Sequence, residues 1–448
     1  MRSRYVGLSS GLVVVALAFA CLPAVGPARA EATASAGRHS AAGADLAGRP
    51  AEILSWRHQI LAPEQYQRLA AEWEAYVQKH PTDARAIVEW GDALRYCGKR
   101  EEAVNAYAIA YQTDSTDAAA ITAHVQHGIC GDYENADWNR AKRMYMRAVE
   151  SDPTYPDTYY MLWFTALRTG DSALAGKCLA RTVELGDMPR PLVDFGYNML
   201  AGAPENAIVL TNGDNDTYPP LAVQSTIGFR TDVSIVNLSL LNVKWYIRHL
   251  RDAGVPFGLD DRAIEKLQHA EGKVISMQAQ EALLASLRKG RSPRPLLYAA
   301  SVMEQNRALK GPSRVDGLLE WIVEAEQTPR AVGEFDLDHT RILLDRIYRL
   351  DGITDPLIDW ERENSVAKLG LNYVVLLSKV GEGLLAENRP PEAAPYLLKA
   401  VSILAFHDRP EKAREVVEVW RKTDPGSPLL AEALRLIERA DGRAAPGR

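Results

Sequence analysis

The sequence predicts a mainly helical protein, with α-solenoid arrays of paired helices flanking a small α/β domain with a short parallel sheet. Two observations predict it. Small and large apolar residues recur in step with a period of about 34 residues, once in the N-terminal half and again near the C-terminus. Between them, Ala207 to Ile247 breaks the pattern: an apolar run, a polar turn, a helix-length segment and a second apolar run. That order reads as strand, turn, helix, strand, one βαβ unit.

The first array is expected over residues 51–200. With Ala103 as the small residue of a second helix, Trp90, Gly91 and Leu94 fall on the first helix, and Tyr107 and Ala110 on the second. Gly98 sits in the turn between them. The next unit has a first helix from Ala119 to Gly128, a long loop from Gly131 to Asn139, and then Ala141, Tyr145, Ala148 and Pro153. A third has Leu162, Trp163, Gly170, Ala175 and Leu179. Gly and Ala at these places let two helices approach closely, and the large residues fill the space between hairpins. Trp90, Tyr107, Trp163 and Leu179 are therefore expected to be buried. The spacing resembles that of tetratricopeptide (TPR) repeats, which implies a surface for a protein or peptide partner.

The α/β domain is expected over 201–330. Ala207 to Leu210, Val233 to Leu238 and Leu296 to Ala300 are predicted to be parallel neighbours, because continuously apolar runs suit strands covered on both faces. Asn242 to Ala253, Asp260 to His269 and Met277 to Arg288 read as helices, and Val315 to Ile322 as a helix or a strand. Helical TPR-like repeats are expected again over 331–440. There Gly381, Leu384, Ala393, Leu397 and Ala400 match one unit, with Asn388-Arg389-Pro390 in its turn. Ala413, Val417, Trp420 and Pro425 continue it, and a charged-faced helix from Pro428 to Ala440 looks like a cap. Residues 441–448 are expected to form a disordered tail.

The segments GDNDTYP, FRTDV, VNLSL and WYI, followed in order by RPLLYAASV, VDGLLEWIV and YRLDGITDP, carry a further resemblance over about Glu205 to Val401. This stretch resembles the soluble C-terminal domain of a family of bacterial multi-span membrane proteins of uncertain function, itself similar to protein O-mannosyltransferases. The resemblance points to a shared domain and to no particular reaction.

At the N-terminus, Arg2 and Arg4 precede an apolar run from Leu12 to Leu22, and Ala28-Arg29-Ala30 fits a cleavage site. Residues 1–30 thus read as a signal peptide, with lipidation at Cys21 as the alternative, and 31–50 as a flexible leader rich in Ala, Gly and Ser. The expected location is periplasmic or extracellular, in a bacterial cell envelope, with no transmembrane segment after cleavage. Cys97, Cys130 and Cys178 remain. They read either as small buried hydrophobes or as one disulfide plus one thiol, Cys97–Cys130 being the pair that repeat register brings together. The net charge of −6 leaves no basic footprint for nucleic acid.

Candidate site residues cluster in the turn of the βαβ unit: Asn212, Asp214, Asn215 and Asp216, with Asn237 at the end of the second strand. Open sheets bind ligands at the carboxyl ends of their strands. Asp214 and Asp216 form a D-x-D whose oxygens suit a divalent cation, but Asp216 or Thr217 also makes a natural helix N-cap. Arg230 could pair with this turn or sit in solvent. No catalytic set and no cofactor motif stands out. The expected function is a protein–protein interaction scaffold, the alternative being a glycan- or ion-binding accessory or a glycosyltransferase-related enzyme acting through Asp214 and Asp216.

Overall fold

The computed structural model describes residues 48–269, 273–290, 294–309, 313–323 and 335–444, all within one compact unit. The predicted signal peptide, Cys21, most of the predicted leader and residues 445–448 lie outside the described residues.

The first array runs through α1 (Pro63–Lys79), α2 (Ala84–Tyr96), α3 (Arg100–Thr113), α4 (Ala118–His124, extended by a wider turn over Val125–Ile129), α5 (Trp138–Ser151), α6 (Pro156–Arg168), α7 (Ser172–Glu184) and α8 (Arg190–Gly202). Asp83, Asp117, Asp137 and Asp171 cap α2, α4, α5 and α7, each carboxylate accepting the N–H three residues on. These caps punctuate a sequence that would otherwise read as continuous helix. The small residues act as expected: a Cβ on Gly91 would lie 2.5 Å from the Tyr107 ring, so the hairpin closes only on glycine. Tyr107, Trp163 and Leu179 are buried, whereas Trp90 is only partly so.

The α/β layer follows: β1 (Ile208–Thr211), α9 (Asp214–Ile227), β2 (Ser234–Asn237), α10 (Lys244–Asp252), α11 (Asp261–Glu265), α12 (Ile275–Lys289), β3 (Leu296–Ala299), β4 (Arg314–Asp316) and β5 (Leu319–Val323). The sheet order is β2-β1-β3-β5-β4. β1 pairs in parallel with β2 (Val209 opposite Ile235) and with β3 (Val209 opposite Leu297), as the apolar runs predicted. The sheet does not stop there. Val315 to Ile322 forms an antiparallel hairpin turning at Gly317, which makes the sheet mixed.

The sheet is seated on the first array through α9, which packs against α7 and α8. Gly196 of α8 makes this contact possible, since a Cβ there would strike the Pro219–Pro220 backbone at 2.5 Å. Arg230 neither meets the acidic turn nor sits free. It pairs with Asp232 (2.9 Å) and donates to the carbonyls of Leu200, Ala203 and Pro204, closing the end of α8.

After α13 (Leu337–Ile342) the second array comprises α14 (Asn364–Ala386), α15 (Pro390–Phe406), α16 (Pro410–Thr423) and α17 (Leu430–Ala444). Its hairpin repeats the glycine device: a Cβ on Gly381 would lie 2.5 Å from Leu397. Helix α17 continues to Ala444, so residues 441–444 extend the last helix where a disordered tail was expected. Among the described residues α14 alone is long and apolar enough to cross a membrane; here it lies against α15 and α8, half buried. Asn198 of α8 joins the arrays: its amide donates to Tyr373 Oη on α14 (2.7 Å) and its carbonyl oxygen accepts the Arg349 N–H (2.8 Å).

The three cysteines among the described residues are free, so the Cys97–Cys130 pairing is not made. Burial pushes the Cys130 and Cys178 thiols up to about 12, the state of inert core residues.

Residues 49–61 are not helical. Arg49 pairs with Asp83 (3.4 Å), and Ala51 to Leu61 form an irregular strap with a turn at Ser55–His58. The strap crosses α1, α2 and α6 and reaches the start of α14, where the Ser365 N–H donates to the His58 carbonyl (2.8 Å).

Candidate functional site

The carboxyl ends of β1, β2 and β3 meet at one edge of the sheet, and the Asn212–Asp216 turn lies there. Helix α9 starts at Asp214 with Gly213 as its N-cap, so Asp216 is the third helical residue and not the cap itself. Its carboxylate reaches back to accept the N–H groups of Asn212 (2.7 Å) and Gly213 (2.8 Å), and the Ser301 hydroxyl beyond β3 (2.5 Å). This is the acid half of a capping box, with Gly in place of the usual hydroxyl residue. Asp216 is 3% exposed, and burial raises its pKa although these bonds oppose the rise.

Asn212 and Asn237 also serve the loop. The Asn212 side-chain oxygen accepts from Asn306 Nδ2 (2.6 Å), tying the loops after β1 and β3. Asn237 is buried. It donates to Thr217 Oγ1 (3.0 Å) and accepts the Leu240 N–H (3.0 Å). Asp216, Asn212 and Asn237 are therefore spent on holding the edge together.

Asp214 and Asn215 differ. Asp214 is exposed, and among the described residues its carboxylate makes no hydrogen bond or ion pair. Desolvation by the surrounding protein raises its pKa, while Arg57 and Arg95 pull the other way. Asn215 donates to the Arg57 carbonyl of the strap (2.8 Å), and its side-chain oxygen is shut from solvent without a partner. The two carboxylates of the D-x-D thus have separate surroundings, and among the described residues no cluster of three or more His, Cys, Asp or Glu side chains is arranged to hold an ion.

The groups that interact electrostatically with Asp214 come from several elements. Arg95 comes from α2, Tyr133 from the long loop before α5, Asp157 from α6 and Arg57 from the strap. Arg57 pairs with Asp157 and stacks 3.9 Å from the Tyr160 ring. Arg95 donates to Tyr96 Oη (2.6 Å) and lies 3.5 Å from Asp92. Trp56 of the strap stacks on Tyr96 with ring centroids 4.9 Å apart and stays 52% exposed; Tyr133 is 41% exposed. By contrast, Trp245 and Tyr246 are core residues.

The strap shows how this face holds polypeptide. The Glu89 carboxylate accepts the Ile53 N–H (2.7 Å), Trp73 Nε1 donates to the Ala51 carbonyl (3.0 Å), and Asn215 takes the Arg57 carbonyl. Burial pushes Glu89 up to about 8, against the pull of Arg85 and the Ile53 N–H. At the far end His58 is clasped between two acids, with Nε2 3.1 Å from Asp187 and Nδ1 2.9 Å from Glu363. Burial alone would lower its pKa, but the two carboxylates outweigh that and raise it to about 10. Sequence reasoning missed the strap entirely. Its only signal was Trp56 and His58 in a non-periodic stretch, and nothing in a local pattern says which distant acids a histidine will meet.

Comparison with known proteins adds a partial match. Residues 192–255 match the family described as TMEM260-associated domain 2. That span covers most of α8, then β1, α9, β2 and α10. No curated protein matches the chain. Solved structures that it matches include the MamA protein, at 14% identity with a TM-score of 0.24 over 42% of this chain and 81% of that one. Yeast Tom70 matches at 10% identity with a TM-score of 0.25, over 87% of this chain and 61% of that one. At such TM-scores the likeness decides nothing, and the fold class stands on the helix pairing and sheet described above. What is established is a mainly helical chain that carries, over 192–255, a segment similar to TMEM260-associated domain 2.

Proposed function

We propose that this protein is an interaction scaffold of the bacterial cell envelope. Its first helical array, together with the edge of the sheet, holds an extended segment of a protein partner. The observation that carries this reading is the strap: the same face already takes main-chain groups of Ala51, Ile53 and Arg57 on side chains from α1, α2 and α9. Next to the strap the face stays open at Asp214, Tyr133 and Trp56, with aromatic surface that suits a peptide. The signal-peptide pattern over residues 1–30 supports an exported location.

A photo-crosslinking amino acid placed at Tyr133 in the exported chain tests this. The reading expects covalent capture of one defined segment of a partner, reduced about tenfold when a saturating tenfold excess of a peptide of that segment with equal affinity is added. Labelling spread over many unrelated proteins, or none, would overturn it. Fractionation that left the chain in the cytoplasm with residues 1–30 attached would remove the envelope from the proposal.

A further inference from the structure

We infer that the junction of the first array with the α/β layer is a binding site for a small uncharged molecule, one ring in size, that carries a single hydrogen-bonding group. The site shares no residue with the strap face and stands apart from the scaffold reading.

A cavity of about 210 Å³ lies there, walled by α6, α7, α9, β2 and α10. That exceeds the roughly 150 Å³ of an engineered apolar cavity that takes benzene. Its inner wall is apolar and buried, from Trp163 and Leu179 on the array to Ile235 and Leu250 on the layer. It reaches solvent past Ser172 and Ser225, both exposed. Junctions between structural units are common places for small-molecule sites. One wall residue sets this cavity apart from a packing defect. Gly91, Gly196 and Gly381 each stand where a Cβ would strike a neighbour at 2.5 Å. Gly176, inside α7, does not: the nearest atoms to a Cβ there are Ser225 Cβ and Oγ at 3.9 Å, an ordinary contact. Glycine inside a helix costs stability relative to alanine, and no close approach offsets that cost here. What the missing side chain leaves is open cavity.

The lining chooses the polarity of the occupant. No Asp, Glu, Lys or Arg side chain lines the cavity, so a charged ligand would be desolvated without a counter-charge. His249 lines it, on the face of α10 that carries Tyr246, and the two rings stack with centroids 6.4 Å apart. Burial lowers the His249 pKa, with Asp252 pulling the other way, so the imidazole is neutral at neutral pH. Among the described residues its ring nitrogens have no hydrogen-bond partner. A neutral imidazole offers one donor and one acceptor. The Tyr246 hydroxyl, by contrast, already accepts the Asn237 N–H (3.3 Å). An apolar ring bearing one hydroxyl fits the wall with its body and His249 with its polar end.

The test is a ligand-observed NMR titration of the full chain with p-cresol, toluene, p-toluate and N-acetyl-tyrosinamide. p-Cresol should bind with a Kd on the order of 1 mM. Toluene, which lacks the hydroxyl, should bind about two- to tenfold more weakly, the worth of one net hydrogen bond. The charged p-toluate should bind more weakly than p-cresol by about tenfold or more. Gly176→Leu and Ser225→Phe fill the cavity from α7 and from α9, and each should weaken p-cresol by about tenfold or more; circular dichroism verifies that each folds, and either one alone suffices. His249→Phe should bring p-cresol to the level of toluene and leave toluene unchanged. Gly176→Ala should raise the melting temperature, opposite to Gly91→Ala. p-Cresol that fails to bind, or binds equally to wild type and a folded filling variant, would overturn the inference. So would a lower melting temperature in Gly176→Ala, which would mean that packing needs the glycine. p-Toluate binding as tightly as p-cresol would replace the neutral ligand with an anion, and N-acetyl-tyrosinamide binding about tenfold tighter than p-cresol would replace the small molecule with a side chain of a protein partner.

Discussion

Two histidine-sized decisions, at His58 and in the D-x-D, govern most of the chemistry at the residue scale. His58 joins the strap to Asp187 after α7 and Glu363 before α14. Its folded pKa of about 10 lies above the ordinary value of 6.5. The clasp therefore contributes fully below pH about 6.5 and is lost as pH rises through about 10, the direction for a cation that gains partners on folding. His58→Gln should cost about 3 kcal/mol, because it leaves two facing carboxylates without their cation. Thermal melts from pH 6 to 10.5 should show wild type converging on the variant at the alkaline end; a constant gap would mean that the charge is not what matters. Within the D-x-D, Asp216→Ala should cost about 2–4 kcal/mol by stranding two loop N–H groups and the Ser301 hydroxyl. Asp214→Ala should change stability by less than about 1 kcal/mol, the size of a helix-dipole term. Chemical denaturation of the two variants distinguishes them, and equal costs would contradict the division of roles described here. The sequence marked the four turn residues and Asn237 but could not divide them, since spacing alone does not tell which acid turns to the backbone and which stays exposed.

Elements built on periodic burial were the most legible. Gly91 with Tyr107 and Gly381 with Leu397 stand in the same register in the two arrays, and each glycine lies under the large residue that its position implied. Gly91→Ala and Gly381→Ala should each destabilise by about 1–3 kcal/mol through overpacking, whereas alanine in an open helix would stabilise by about 1 kcal/mol. The sign of the shift in melting temperature checks the hairpin contact directly. Tyr107→Ala should cost about 3–5 kcal/mol. The three parallel strands were visible because a strand covered on both faces is apolar without interruption. The β4–β5 hairpin was ambiguous because its short strands mix Arg314, Asp316 and Glu320 with apolar residues, and only pairing with β3 decides its conformation. Trp90 shows the limit of repeat register: its position was expected to be buried, and the ring is only partly so.

On the scale of the whole molecule, two arrays and a five-stranded sheet are held as one body by long-range contacts that no local pattern encodes. Asn198 to Tyr373, α8 on α9 at Gly196, and the strap from α1 to α14 each join residues distant in sequence. The central claim is that the face of the first array holds extended polypeptide through its main chain and that the strap is the resident example. Amide hydrogen exchange on the full chain tests it most directly. Ile53, whose N–H is held by Glu89, and Ile60, whose N–H is held by Asn364 Oδ1 (3.1 Å), should be protected far beyond an unstructured chain, and His58→Gln should release both. Exchange of 51–61 at unstructured rates in the wild type, with the helices on either side protected, would contradict it.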